Sequence, residues 1–245
     1  MAVFDDLGAE QERLEEILAG LSEAEWMTPS GAAGWTVADV VLHLAQSEEA
    51  VQATLMGGNL GVWVAEATGS TMDERAEAAV RAERAEPASV FGRWRRARRD
   101  SMAALTAGDP EQPVGWVTGL VKPATLATTR LAEHWAHGLD ITGPLGLEFP
   151  DTDRLRHVAW LAHRTLPYAL ARAGEQPAAV RCELTDPAGS DTWRYGPPDA
   201  ESAITGPAGE FCRVAARRLA PADARLTATG PHGATALRVL RTYAE

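Results

Sequence analysis

The sequence predicts an α+β protein: a mainly α helical bundle over residues 1–174, followed by a smaller α+β domain over residues 175–245. Three observations carry this expectation. Apolar residues recur at three- and four-residue spacing through a series of long segments in the first two thirds of the chain. The stretch Gly174 to Pro177 then interrupts the pattern. Beyond it the apolar period shortens to two, as in strands.

Taken in order, the first helix runs from about Asp5 to Leu21, with Leu7, Leu14, Ile17, Leu18 and Leu21 at helical spacing. Thr36 opens the second, and Asp39 three residues later makes a carboxylate form of the capping box. Its apolar stripe is Val37, Val41, Leu44, Val51 and Leu55. Gly57 to Gly69 is irregular and apolar, suited to a lid or a short connecting helix, and carries Trp63. Asp73 to Glu86 reads as an exposed charged helix. A third bundle helix follows from Pro87 to about Thr106, with Val90, Phe91, Trp94, Met102 and Leu105 inward and Arg95, Arg96 and Arg99 outward. Ala107 to Lys122 is expected as a loop. Pro123 suits a first helical position, and the helix it opens is expected to reach about Leu139, with Gly143-Pro144 and Gly146 stopping it. A fifth helix spans about Thr152 to Ala173. Strands follow at Val180–Thr185, Thr192–Tyr195 and Glu201–Thr205, then a helix over Gly206–Leu219, a strand over Arg225–Ala228 and a helix over Thr235–Tyr243.

The composition narrows the function classes. An apolar fraction of 45% supports a real core. A net charge of −11 opposes general nucleic-acid binding and attraction to anionic lipid. No apolar run is long enough for a membrane span, and no secretory signal is visible, so a cytoplasmic setting is expected. Cys182 and Cys212 are too few for a disulfide framework and carry no local motif. The basic residues are almost all arginine, a usage that fits a high-GC genome. No Gly-rich phosphate loop, nucleophile elbow or Cys-x-x-Cys is present.

The run Arg130-Leu131-Ala132-Glu133-His134-Trp135-Ala136-His137-Gly138-Leu139-Asp140 carries the chemistry. On a helix, Glu133 and His137 lie one turn apart on one face. A carboxylate and an imidazole so placed can hold a divalent cation but cannot close its coordination alone. His43, in a second amphipathic segment, is the best third donor, because bundles build metal sites from inward-facing side chains. Glu48 falls near the centre of its helix's apolar stripe and so must be paired, protonated or metal-bound; Ser47 or Glu48 could face the same cavity as His43. Asp140 either orients the second ring nitrogen of His137 or caps the helix end. Arg130 either pairs with Glu133 or binds a substrate carboxylate. His157 is read as a packed helix histidine, and Trp63 and Trp116 as cover for a core edge or walls of a pocket.

The run from Arg130 to Gly146 closely resembles the metal-binding helix of the DinB-like superfamily, and within it the actinobacterial mycothiol-dependent maleylpyruvate isomerase family. Gly34 to Ala50 is similar to that family's second helix, and the segments from His157 and Ile204 are similar to later parts of its two-domain members. The resemblance implies a four-helix up-down-down-up bundle, a C-terminal domain of sterol-carrier-like α/β arrangement, and His43, Glu133 and His137 as ligands of one cation. His134 stands where the family more often has a small or hydroxyl residue and is expected at the surface.

Two histidines and one carboxylate suit zinc first, and nickel or iron with added waters. A thiol on such a cation is deprotonated at neutral pH. The resemblance makes mycothiol the candidate thiol and implies S-transfer or cis–trans isomerisation of a small electrophilic metabolite. Glu48, Arg130 and Asp140 are then the residues placed beside the chemistry, and Arg130 or Arg213, with Arg217 and Arg218, the receptors of the thiol's acidic groups. A thiol-independent hydrolase, lyase or cyclase on the same bundle is the second reading, and a non-catalytic metal- or ligand-binding protein the third. A small-molecule substrate, with the chain as monomer or homodimer, is common to the enzyme readings.

Overall fold

The structure is a computed structural model that describes residues 3–57, 71–117 and 119–242. Its contacts divide the chain into two compact units, one ending at Phe149 and the other running from Pro150 to Ala244. The α+β class is as expected; the boundary is not at 174/175.

In the first unit, α1 spans Val3–Ala19, α2 Glu23–Trp26, α3 Val37–Leu55, α4 Met72–Ala82, α5 Pro87–Ala107 and α6 Pro123–Leu145, with a hairpin of β1 (Val114–Trp116) and β2 (Gly119–Val121) before α6. The four long helices close a ring: α3 packs on α5 and α6, and α1 packs on the same two helices. Leu14 and Leu18 of α1, Val37, Val41 and Leu44 of α3, Val90 and Trp94 of α5 and Ile141 of α6 share one buried cluster. Burying each such side chain contributes about 1.5–3 kcal/mol. Thr36 caps α3 as read, its hydroxyl accepting from Asp39 N–H while the Asp39 carboxylate returns to the Thr36 backbone. The hairpin occupies part of the expected loop, where a register of Val114 with Val121 and Trp116 with Gly119 is too short to show as alternation. The lid-or-helix reading of 57–69, with Trp63, lies outside the described residues apart from Gly57.

Helix α6 corrects a second expectation. It runs through Gly143 and Pro144 to Leu145, and Gly146 ends it in the left-handed conformation, φ 67°. Pro144 cannot donate to the carbonyl four residues back, that of Asp140. That carbonyl accepts instead from Gly31 N–H at 2.8 Å, so the helix passes the proline with its polar groups satisfied. Gly138 is required on the same helix, since a Cβ there would sit 2.4 Å from the Phe149 ring.

In the second unit, α7 (Leu155–Arg172) precedes β3 (Val180–Thr185), β4 (Thr192–Tyr195), β5 (Ser202–Pro207), α8 (Ala208–Ala215), a 3₁₀ turn at Pro221–Asp223, β6 (Thr227–Thr229) and α9 (Gly233–Val239). The sheet order is β4-β3-β5-β6, with β3 and β5 parallel and the outer pairs antiparallel. The boundary differs because α7, the fifth helix expected in the first domain, packs on α8, α9 and β4 instead. Ala169 and Leu170 of α7 bury against Val239 of α9. The Gly174–Pro177 break is a helix-to-strand turn within this unit.

Candidate metal centre

The ring of long helices brings α3 and α6 side by side, and with them His43, Glu133 and His137. One donor atom from each lies within 4.8 Å of the others. Glu133 Oε2 is central, 3.7 Å from His43 Nε2 and 3.5 Å from His137 Nε2. The two imidazoles stand edge to face with centroids 5.1 Å apart. The side chains of His43 and His137 are 13% and 11% exposed and that of Glu133 is 31%, so solvent reaches the cluster on the carboxylate's side.

Asp140 fixes one of these donors. Its Oδ2 lies 2.9 Å from His137 Nδ1, a contact that places a proton on Nδ1 and, in the neutral ring, leaves the Nε2 lone pair facing Glu133. Helix α6 continues five residues past Asp140, which rules out the capping role. Trp35 lies against both imidazoles, 5.1 Å from His43 and 6.4 Å from His137 between centroids. Sequence reasoning missed Trp35. Its signal was its place just before the N-cap of α3, where a side chain folds back along the first turns.

The surroundings divide the three groups' proton affinities. Burial lowers the pKa of His43 against the opposing pull of Glu133. Burial also acts to lower that of His137, but Asp140 and Glu133 outweigh it and the net shift is upward. Burial would raise Glu133, yet the two flanking imidazoles and the Arg130 charge hold it well below the usual carboxylate range. An ionised carboxylate between two imidazole nitrogens is a donor set suited to one divalent cation.

The other expected site residues fall elsewhere. Glu48 is fully buried and not in the cluster; its Oε1 accepts from Arg130 Nε at 2.8 Å and its Oε2 accepts from the Ser101 hydroxyl. Arg130 therefore pairs with Glu48, not with Glu133 as expected. Ser47 turns back to the His43 carbonyl. His134 is not at the surface but has no exposure at all. Its Nδ1 lies 2.9 Å from the Arg130 carbonyl, and its Nε2 accepts from Trp94 Nε1 at 3.3 Å. A histidine one position past Glu133 points away from the cluster and into the bundle, which an exposed-face reading could not anticipate. In the second unit, Arg213 binds Asp151 through two nitrogens at 2.7 and 2.9 Å, and Arg218 donates to the Ala216 carbonyl. His157 lies half-buried on α7, and Trp116 half-buried on β1.

A four-helix bundle with a two-histidine, one-carboxylate cluster between two of its helices, followed by a small mixed-sheet unit, defines the class of protein. Residues 7–142 match the family model of the mycothiol maleylpyruvate isomerase N-terminal domain, and the chain belongs to that family. Uncharacterized proteins from two strains of Mycobacterium tuberculosis are 32% identical over 242 residues, covering 98% of this chain and 94% of theirs. Two crystal structures of the mycothiol-dependent maleylpyruvate isomerase, one of them a mutant, share the fold with TM-scores of 0.64 at 17% and 18% identity. The alignments cover 93% of this chain and 91% of those. Among the described residues no helix is long and apolar enough to cross a membrane.

Proposed function

We propose that this chain is a metal-dependent isomerase in which His43, Glu133 and His137 hold one divalent cation, zinc first, and an external thiol acts on a small electrophilic alkene. The observation that carries the reading is the convergence of three donors from two helices within 4.8 Å, in a chain of the mycothiol maleylpyruvate isomerase family. Such a cation supplies Lewis acidity, which keeps a sulfur ligand deprotonated at neutral pH.

The chain's own residues prepare that place. Glu133 is held ionised by its neighbours, and Asp140 holds His137 in the tautomer that presents Nε2. Three protein donors leave a position for a further ligand, and the greater exposure of Glu133 marks the side from which it comes. The sulfur must come from outside, because burial pushes Cys182 up to about 12 and Cys212 well above its ordinary value. Cis–trans isomerisation by addition, rotation and elimination of a sulfur nucleophile needs no redox partner and regenerates the thiol. Addition without elimination is S-transfer from the same site. Mycothiol is the thiol proposed, on the family's name.

The test is turnover of maleylpyruvate to its trans isomer by zinc-loaded protein, with and without mycothiol. Thiol-dependent isomerisation that disappears in His43→Ala is the expected result. Isomerisation that needs no thiol, or that survives in His43→Ala, overturns the reading. Stable S-conjugates without isomer would assign the transferase chemistry instead.

A further inference from the structure

The loop between α2 and α3 hydrogen-bonds to α6 at Asp140. Three features converge there. Pro144 has no N–H to give the Asp140 carbonyl, and Gly31 N–H occupies that carbonyl at 2.8 Å. Gly31 has no side chain to obstruct the approach: a Cβ would lie 3.0 Å from Asp140 Cα and 3.1 Å from Oδ1. Its φ lies outside the left-handed region, so the requirement for glycine is one of space. The third feature is the Asp140 carboxylate itself, which holds His137 Nδ1 at 2.9 Å.

The loop that makes this contact is braced by its own hydrogen bonds. Ser30 N–H and the Ser30 hydroxyl both donate to the Trp35 carbonyl at 2.8 Å. Trp35 N–H donates to Ala32, Val37 N–H donates to Thr28, and Pro29 bridges Thr36. A shift at Gly31 is therefore passed to Trp35, whose indole lies against both imidazoles.

We propose that Gly31 and Pro144 form a docking joint that fixes Asp140, and through it His137, so that both are positioning residues of the cation cluster. This rests on the reading of His43, Glu133 and His137 as cation ligands. The proline vacates a carbonyl near the C-terminal end of α6 and the glycine fills it from a neighbouring loop. The shared residue is the one that sets the tautomer and ring angle of a ligand. Groups that orient a metal-bound histidine in this way change cation affinity by about 10–100-fold when removed.

The experiment compares zinc affinity, by competition with a chromophoric chelator, in wild type, Gly31→Ala, Pro144→Ala, Asp140→Ala and Gly31→Ala/Asp140→Ala. The visible spectrum of the cobalt(II)-loaded protein and thermal unfolding are recorded alongside. Pro144 is exposed, and alanine restores the helical N–H to compete for the Asp140 carbonyl. Pro144→Ala is thus expected to weaken zinc binding about tenfold while its unfolding midpoint stays level or rises. A merely structural role would not separate the two in that direction. Gly31→Ala is expected to shift the cobalt bands as Asp140→Ala does, and to add no further loss in the Asp140→Ala background. Wild-type affinity in both Gly31→Ala and Pro144→Ala, or full additivity with Asp140→Ala, overturns the joint. Should Gly31→Ala not fold, Pro144→Ala decides alone. Wild type taking one zinc that His43→Ala loses keeps the site reading in force whatever the joint variants do. Wild type taking none overturns both.

Discussion

Glu48 of α3 and Arg130 of α6 meet at 2.8 Å inside the bundle, 82 positions apart in the chain. The pair is almost wholly shielded, and Ser101 of α5 closes on the same carboxylate. It ties together three of the four long helices directly behind the cluster's helix face. Removing one partner of a buried pair strands the other's charge, which costs about 3–5 kcal/mol, whereas replacing both with apolar groups costs far less. Glu48→Ala is expected to lose stability in that range by urea unfolding, and Glu48→Ala/Arg130→Met to recover most of it. A Glu48→Ala variant within about 0.5 kcal/mol of wild type would show the pair to be inert.

Loss of His43 bears on the cluster in a different way. The side chain is 13% exposed and lies against Trp35, outside the packed centre of the bundle. His43→Ala removes the only donor from α3, leaving Glu133 and His137, which cannot close a site. The expected outcome is protein with a wild-type circular dichroism spectrum and no zinc by elemental analysis. Retained stoichiometric zinc would exclude His43 from the ligand set.

What could be read in the sequence and what could not follow a physical line. Glu133 and His137 were legible because helical spacing alone puts them on one face, whereas for Asp140, one turn further on, spacing left two roles open, orienting the ring's other nitrogen or capping the helix end. His43 was legible as the best third donor from its second amphipathic segment, and the family resemblance pointed to the same residue, since no spacing rule by itself joins two helices. Arg130 and His134 were misread for one reason. The sequence shows their neighbours on α6, but their partners Glu48 and Trp94 come from other helices. Gly31 and Pro144 look like loop and stop signals, and their meaning appears only when the chain brings them to a common carbonyl. The boundary moved from 174 to 149 because α7 carries a helical period that does not say which core it joins.

The protein's own thiols are expected to be silent. Burial pushes Cys182 up to about 12 and Cys212 beyond its ordinary value, and both side chains have no exposure. Near pH 8 the thiolate fraction of Cys182 is about one in ten thousand. Native protein should react negligibly with an aromatic disulfide reagent, and denatured protein should release two equivalents, matching its two cysteines. Cys182→Ser/Cys212→Ala should keep thiol-dependent turnover. A fast-reacting native cysteine, or activity lost with the pair, would locate the sulfur chemistry in the chain itself.

His134 gives the metal-free protein a predictable acid sensitivity. Burial drives its pKa from 6.5 to about 4, with the Arg130 charge acting in the same direction, and the ring has no exposed face on which to carry a charge. The unfolded chain therefore binds a proton in the window between about pH 6.5 and 4 that the folded chain does not. The contribution of His134 is present above the upper end of that window and is lost as the pH falls through it. The slope approaches about 1.4 kcal/mol per pH unit for one proton. His137 moves the other way, since its raised pKa makes the fold gain on acidification, so total stability alone does not isolate the effect. The difference between wild type and His134→Asn does. Urea unfolding from about pH 7 to about pH 5 should show wild type losing more than the variant, by about 2 kcal/mol at the lower end. Parallel curves would mean that His134 accepts its proton in the folded bundle, with Glu48 Oε1, 3.7 Å away, as the group that stabilises it.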